Sequence, residues 1–223
     1  MTPLYPARKH IMDDSFSPSR LEAFSDGVIA VIITIMVLEL HVPAQHGLAG
    51  FMQVLPTIGV YALSFTFVGI FWVNHHLLIH RIREASPRIL WANLVWLFCL
   101  SLLPFLTAYV SDERYDSFSV ALYAASLVVT GMGFMLLRLA VMARQRAEGT
   151  IEHSDLALLT KHWASVGIYV IAIPVAYWHA TYALYLIGAV TAIWIIPTLG
   201  VERCEENVKH SPHRHQPGVT EKK

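Results

Sequence analysis

The segment that decides the fold is residues 20–40, RLEAFSDGVIAVIITIMVLEL. Its centre is an apolar run in which Thr34 is the only polar side chain between Asp26 and Glu39. A helix of about 20 mostly apolar residues is long enough to cross the hydrocarbon core of a bilayer. We therefore expect a first membrane-spanning helix over residues 21–40.

Five further apolar segments follow, over residues 48–78, 89–110, 118–142, 162–178 and 182–201, and Pro104 is expected to kink the third. The chain is 55% hydrophobic and 14% charged, whereas a soluble domain carries about 25% charged residues. A single helix over residues 163–199 would be too long for one crossing, so we expect a hairpin there. The sequence therefore predicts an all-α membrane protein with six transmembrane helices.

The positive charges test this count. With six spans, every Lys and Arg except Arg114 lies on the face that holds both termini. Cytoplasmic loops carry such an excess of positive charge, so we expect a multi-pass protein of a cell inner membrane with cytoplasmic termini. Residues 1–19 then form a cytoplasmic N-terminal segment, residues 20–201 the membrane domain, and residues 202–223 a mobile cytoplasmic tail. Three histidines of that tail could bind metal weakly, but a solvated tail is the simpler interpretation: His210, His213 and His215.

Polar side chains gather at the cytoplasmic ends of the first two spans. The second span ends in GIFWVNHHLLIHRIR, which contains His75 and His76. Buried charges inside a membrane need partners, so we expect a hydrogen-bonded cluster of Arg20, Asp26 and one of these two histidines. The sequence does not decide which one. Adjacent histidines cannot ligate one haem iron from a helix face, and no further zinc ligands are evident, so we expect no cofactor and no metal.

An apolar stripe runs along the first helix. Val31, Ile35 and Leu38 recur at i, i+4 and i+7, with Thr34 beside them. Packing against another helix is the commoner explanation of such a stripe, and the Thr34 hydroxyl could simply bond to its own backbone. If the stripe instead met its copies across a symmetry axis, it would form stacked apolar rings and one hydroxyl ring around a pore.

Two motifs resemble a known family. The first is Arg20 followed by Phe24-Ser25-Asp26, and the second is the run FWVNHHLLIHRI at residues 71–82. Both are similar to the prokaryotic branch of the endosomal/lysosomal potassium channel family, and six-span length extends the resemblance over most of the chain.

The resemblance implies a homotetramer in which the first helix of each subunit lines a central pore. It implies constrictions at Val31, Ile35 and Leu38 and a threonine layer at Thr34, although Val31 is smaller than the Ile or Leu usual at the first ring. The network behind the pore maps onto six residues: Arg20, Ser25, Asp26, Trp72, His75 and His76. The implied function is a potassium-permeable cation channel with modest selectivity for K⁺ over Na⁺.

Other functions fit the sequence less well. The alternative is a proton-coupled secondary transporter or a proton-conducting channel that uses Asp26 with His75 or His76. The sequence contains no Ser/His/Asp triad spacing, no phosphate-binding glycine loop and no TVGYG filter. We therefore expect a non-enzymatic protein whose partners are lipid, monovalent cations and its own copies. Because acidic and basic residues number 16 each, nothing indicates a nucleic-acid partner.

Overall fold

The structure, a computed structural model, describes residues 17–149 and 154–209, with side chains over 17–149 and 158–195. The described residues form helices only: α1 Pro18–Leu38, α2 Gly47–Ile79, α3 Pro87–Ser101, α4 Leu103–Asp112, α5 Ser117–Glu148, α6 Ser154–Trp178 and α7 Ala180–Lys209. Each of the six predicted spans corresponds to one helix or, for the third, to the pair α3 and α4. The predicted all-α class is confirmed.

Local signals fix where several helices begin. Ser17 caps α1 by accepting a hydrogen bond from the backbone N–H of Arg20, and Ser86 caps α3 in the same way. Each cap is followed by a proline in the first turn, where a missing N–H costs nothing. Asp116 caps α5 by accepting from the backbone N–H of Ser119 at 2.8 Å. The polar residues that flank the apolar runs therefore set the helix ends.

The third span is interrupted at Leu102, between α3 and α4. Pro104 has no N–H to donate to the carbonyl of Leu100, so the α-helical ladder cannot continue across this point. The Leu102 N–H bonds instead to the carbonyl of Cys99 at 3.3 Å, which tightens the last turn of α3. The kink expected at Pro104 thus appears as a break two residues earlier.

Helix α5 is the centre of the bundle. It packs against α3, α4, α6 and α7, and 61% of the residues in its most apolar stretch are buried. Its Tyr123, Leu127 and Phe134 are fully or almost fully buried, and Phe134 packs edge-on against Trp96 of α3. Helix α1 packs on α2, α3 and α4, and only 28% of the residues in its most apolar stretch are buried. The first helix therefore lies at the edge of the subunit.

Five helical segments among the described residues are long and apolar enough to cross a membrane, with α3 and α4 counted as one. The apolar part of α7 that is described, Ala180–Ile195, is shorter. These segments make the chain a multi-pass membrane protein. Helix α7 continues to Lys209, so residues 202–209 of the predicted tail are helical. Residues 1–16 and 210–223, which hold the rest of the predicted terminal segments, lie outside the described residues.

Contacts between helix ends show which ends share a face. Arg144, near the end of α5, forms an ion pair of 3.0 Å with Glu84 in the α2–α3 loop. Tyr115, in the α4–α5 turn, bonds to Thr57 near the start of α2 at 3.1 Å. The ends of α2 and α5 therefore share one face of the bundle, and the start of α2 shares the other face with the α4–α5 turn.

Candidate functional site

Helix α1 has two different faces. Its buried face carries Leu21, Ser25, Ile29, Ile32 and Met36 at intervals of three or four residues. This spacing keeps one side of the helix against α2, α3 and α4.

The opposite face of α1 is open. Val31 is 54% exposed, Ile35 41% and Leu38 77%, and Thr34 is exposed between them. All four predicted stripe residues therefore point away from the packed interior of their own subunit. We call them the exposed stripe.

The Thr34 hydroxyl donates to the backbone carbonyl of Val31 at 2.9 Å. This is the bond to the helix's own backbone that the sequence left open. It uses the hydroxyl proton, so the lone pairs of the Thr34 oxygen remain able to accept from water or to contact a cation. The local bond and an ion-facing role are therefore compatible.

A hydrogen bond between side chains joins the start of α1 to the end of α2. The indole Nε1 of Trp72 donates to Oδ1 of Asp26 at 2.9 Å. A bond to a carboxylate is stronger than one between neutral groups. This contact fixes the rotation of α1 about its axis and turns Asp26 away from the exposed stripe.

A second contact lies one turn earlier on α1. Nδ1 of His76 lies 2.5 Å from Oε1 of Glu22, and Nδ1 of His80 lies 3.9 Å from the other carboxylate oxygen. The His76 and His80 rings face each other at 4.8 Å between centroids. Glu22 thus has two histidines of α2 as neighbours.

The third contact is fully buried and reaches α3. Nδ2 of Asn93 donates to Oγ of Ser25 at 2.9 Å, and the Ser25 hydroxyl donates to the carbonyl of Leu21. Nε2 of His75 bonds to Oδ1 of Asn93 at 2.9 Å, and because that oxygen can only accept, Nε2 carries the proton. The His75 ring is also stacked on Trp96 at 4.9 Å.

The residues of the predicted network therefore belong to three separate sets of contacts. Both histidines take part, but neither contacts Asp26 through a hydrogen bond. Arg20 is exposed, and its side chain makes no hydrogen bond or ion pair within residues 17–149 and 158–195. The expected contact between Arg20 and Asp26 is absent from a single subunit because Arg20 lies on the other side of α1, about 20° around the helix from Val31.

The predicted network did not include three members of these contacts, Glu22, His80 and Asn93. Asn93 is a lone amide inside an apolar span, which indicates a buried hydrogen-bond partner. Glu22 lies one turn before Asp26 and so points towards the same neighbour. The partner of each residue depends on how the helices pack, and residue spacing along the sequence does not identify that partner.

An open groove of about 760 Å³ runs beside the exposed stripe. Phe24, Val31 and Ile35 line it from α1, and Phe105 and Tyr109 line it from α4. A single subunit therefore leaves a long apolar surface uncovered next to the stripe.

Comparisons with known proteins agree with this architecture. A family model described as endosomal/lysosomal potassium channel TMEM175 matches residues 20–104. A potassium channel of Chryseobacterium sp. strain P1-3 is 37% identical over 184 residues, which cover 82% of this chain and 95% of that protein. A potassium channel of Streptomyces collinus is 32% identical over 126 residues, which cover 53% of this chain and 61% of that one.

A solved structure shares the fold. The crystal structure of a lysosomal potassium-selective channel TMEM175 homologue from Chamaesiphon minutus superposes with a TM-score of 0.70. The match covers 81% of this chain and 97% of that one at 22% sequence identity.

Proposed function

This chain belongs to the TMEM175 family of potassium channels, among its bacterial members, and on that premise we propose that it forms a potassium-permeable cation channel. Four copies assemble around a central axis, and the exposed stripe of each α1 faces that axis. The observation that supports this proposal is that α1 has two faces. One face contacts the neighbouring helices, partly through polar side chains, and the other face is exposed. The open face combines apolar side chains with one hydroxyl and, at its cytoplasmic end, Arg20.

The stripe suggests how the pathway works. Rings of Leu38, Ile35 and Val31 narrow the pore with side chains that cannot replace the water around an ion, so the ion passes only after partial dehydration. Thr34 lies between these rings and supplies four oxygen atoms that offset part of that cost. Selectivity for K⁺ over Na⁺ is modest under this mechanism, because no backbone carbonyls are arranged around the ion.

Membrane orientation follows from charge. The face that holds the start of α1 and the ends of α2 and α5 is cytoplasmic, because positively charged loops remain on that side. The membrane is the inner membrane of a bacterial cell, and potassium moves down its electrochemical gradient.

The proposal is tested by ion flux into liposomes. Leu38→Asn removes the most exposed apolar ring, and we expect K⁺ flux to rise about tenfold, equivalent to a barrier lowered by about 1.4 kcal/mol. Thr34→Ala should move the ratio of K⁺ to Na⁺ permeability towards one. The matched control is Val37→Asn, an exposed neighbour that lies about 100° around the helix from Leu38.

Two results would contradict the proposal. One is an equal response to the Leu38 and Val37 changes, which would show that the stripe does not face the ion. The other is a flux of protons without potassium, read with a pH-sensitive dye, which would favour the alternative pathway through Asp26 and the histidines.

A further inference from the structure

We propose that Glu22, His76 and His80 form a binding site for a divalent metal ion of the zinc class at the inner junction of α1 and α2. Each residue offers one ligand atom, and the three atoms lie within 4.8 Å of one another. The histidines come from the last turn of α2 and its C-cap, and the carboxylate comes from the first turns of α1.

The donor set points to zinc or a similar transition metal. Two imidazole nitrogens and one carboxylate oxygen suit Zn²⁺, whereas Mg²⁺ and Ca²⁺ prefer oxygen ligands only. His76 and His80 are four residues apart on one face of a helix, which is the spacing by which helical histidine pairs bind zinc. Three protein ligands leave a fourth position for water.

The site needs only small movements to close around an ion. With ligand bonds of about 2.1 Å, two ligands of a tetrahedral zinc lie about 3.4 Å apart. Nδ1 of His76 and Oε1 of Glu22 are closer than this, at 2.5 Å. Nδ1 of His80 and Oε2 of Glu22 are farther apart, at 3.9 Å. The His80 side chain is 69% exposed and the His76 side chain 44%. Both therefore have room to turn, and an ion can reach them from the aqueous face.

The position of the site is distinct from the exposed stripe. Glu22 lies about 180° around α1 from Val31, so a bound ion would fasten α1 to α2 rather than enter the proposed pore. The two histidines alone are too few for a zinc site, and the fold supplies the third ligand from a helix that precedes them by more than 50 residues.

Isothermal titration of the purified full-length channel with ZnCl₂ tests the site. The tail histidines 210, 213 and 215 are first replaced by asparagine, so that weak binding there does not contribute heat. Since loss of even an indirect partner of a metal ligand costs about tenfold to a hundredfold in affinity, His80→Ala should weaken Zn²⁺ binding at least about tenfold. His41→Ala, which changes an exposed histidine in the α1–α2 loop, should leave the affinity unchanged.

A failure of the zinc-binding test can be distinguished from a failure of the proposed channel function. Unchanged Zn²⁺ affinity in His80→Ala, or equal binding of Mg²⁺, would overturn the metal site whether or not the protein conducts ions. Because His80 is exposed and caps the end of α2, the variant should elute as the parent protein does. A Glu22→Gln variant provides a second reading, with the same expected loss of binding.

Discussion

The buried chain of Ser25, Asn93 and His75 joins α1, α3 and α2 by hydrogen bonds between side chains that are closed off from solvent. Each bond is 2.9 Å long, and all three side chains are fully buried. Removing one partner from a buried pair costs about 1–3 kcal/mol, because the remaining group has lost its hydration as well. These residues therefore hold α1 in place against both of its neighbours.

Asn93→Ala should destabilise the protein by about 2 kcal/mol, because it leaves His75 Nε2 and Ser25 Oγ without their partner. For a chain of this length the midpoint of thermal unfolding should fall by about 4–8 °C. The measurement is intrinsic fluorescence of the detergent-solubilised channel during heating.

Asn74→Ala is the matched control for this change. Among the residues whose side chains the structure describes, the Asn74 amide bonds only to the carbonyl of Ile70 in its own helix, at 2.8 Å, and so joins no two helices. Its replacement should change the midpoint little. Equal shifts for the two variants would show that the buried chain does not fasten the helices.

Among whole elements, the junction of α3 and α5 brings two helix backbones close together. Gly133 of α5 faces the backbone of Trp96, and a Cβ at Gly133 would lie 3.2 Å from the Cα of that residue. Backbone atoms in two helices cannot give way without a shift of one whole helix. A side chain at position 133 would therefore make an unusually tight contact that glycine avoids.

Gly133→Ala should destabilise the bundle by about 1–3 kcal/mol, because the added methyl group overpacks this junction. Gly167→Ala in α6 adds the same methyl group with nothing within 4 Å, and there alanine should be neutral or stabilise by up to about 1 kcal/mol. The expected result is a fall in the unfolding midpoint for Gly133→Ala and no change or a rise for Gly167→Ala. A decrease in both would mean that alanine is harmful for some reason other than contact with Trp96.

Much of this architecture could be predicted from the sequence, because long apolar segments and their polar ends suffice to define spanning helices. The first helix was expected over residues 21–40 and is observed over Pro18–Leu38. The contacts behind the exposed stripe could be predicted only as a group. Asn93 lies 68 residues from Ser25, and their meeting depends on how α3 is turned against α1. Spacing within one helix carries no information about that rotation.

At the scale of the whole molecule, a single subunit leaves unexplained why α1 exposes so much apolar surface beside a hydroxyl. The hydrocarbon chains of lipid can cover Leu38 and Val31, but they offer no hydrogen-bond partner to Thr34 in the middle of the same face. In the proposed tetramer, four copies around an axis would give these side chains a common aqueous path. The assembled particle should then have four times the subunit mass of 25.0 kDa, once the detergent is subtracted.

Crosslinking decides whether the exposed stripes meet at that axis. In a channel whose Cys99 and Cys204 are replaced by alanine, each Leu38→Cys subunit offers one thiol, so a short bifunctional maleimide should join subunits rapidly in pairs and give a dimer band on a denaturing gel. Val37→Cys is the control, because Val37 is also exposed, at 45%, yet points about 100° away from Leu38. It should react with a single-ended maleimide as readily as Leu38→Cys does and crosslink much more slowly. Equal crosslinking at the two positions, or no dimer band from Leu38→Cys, would place the stripe against lipid or another helix instead of around a fourfold pore.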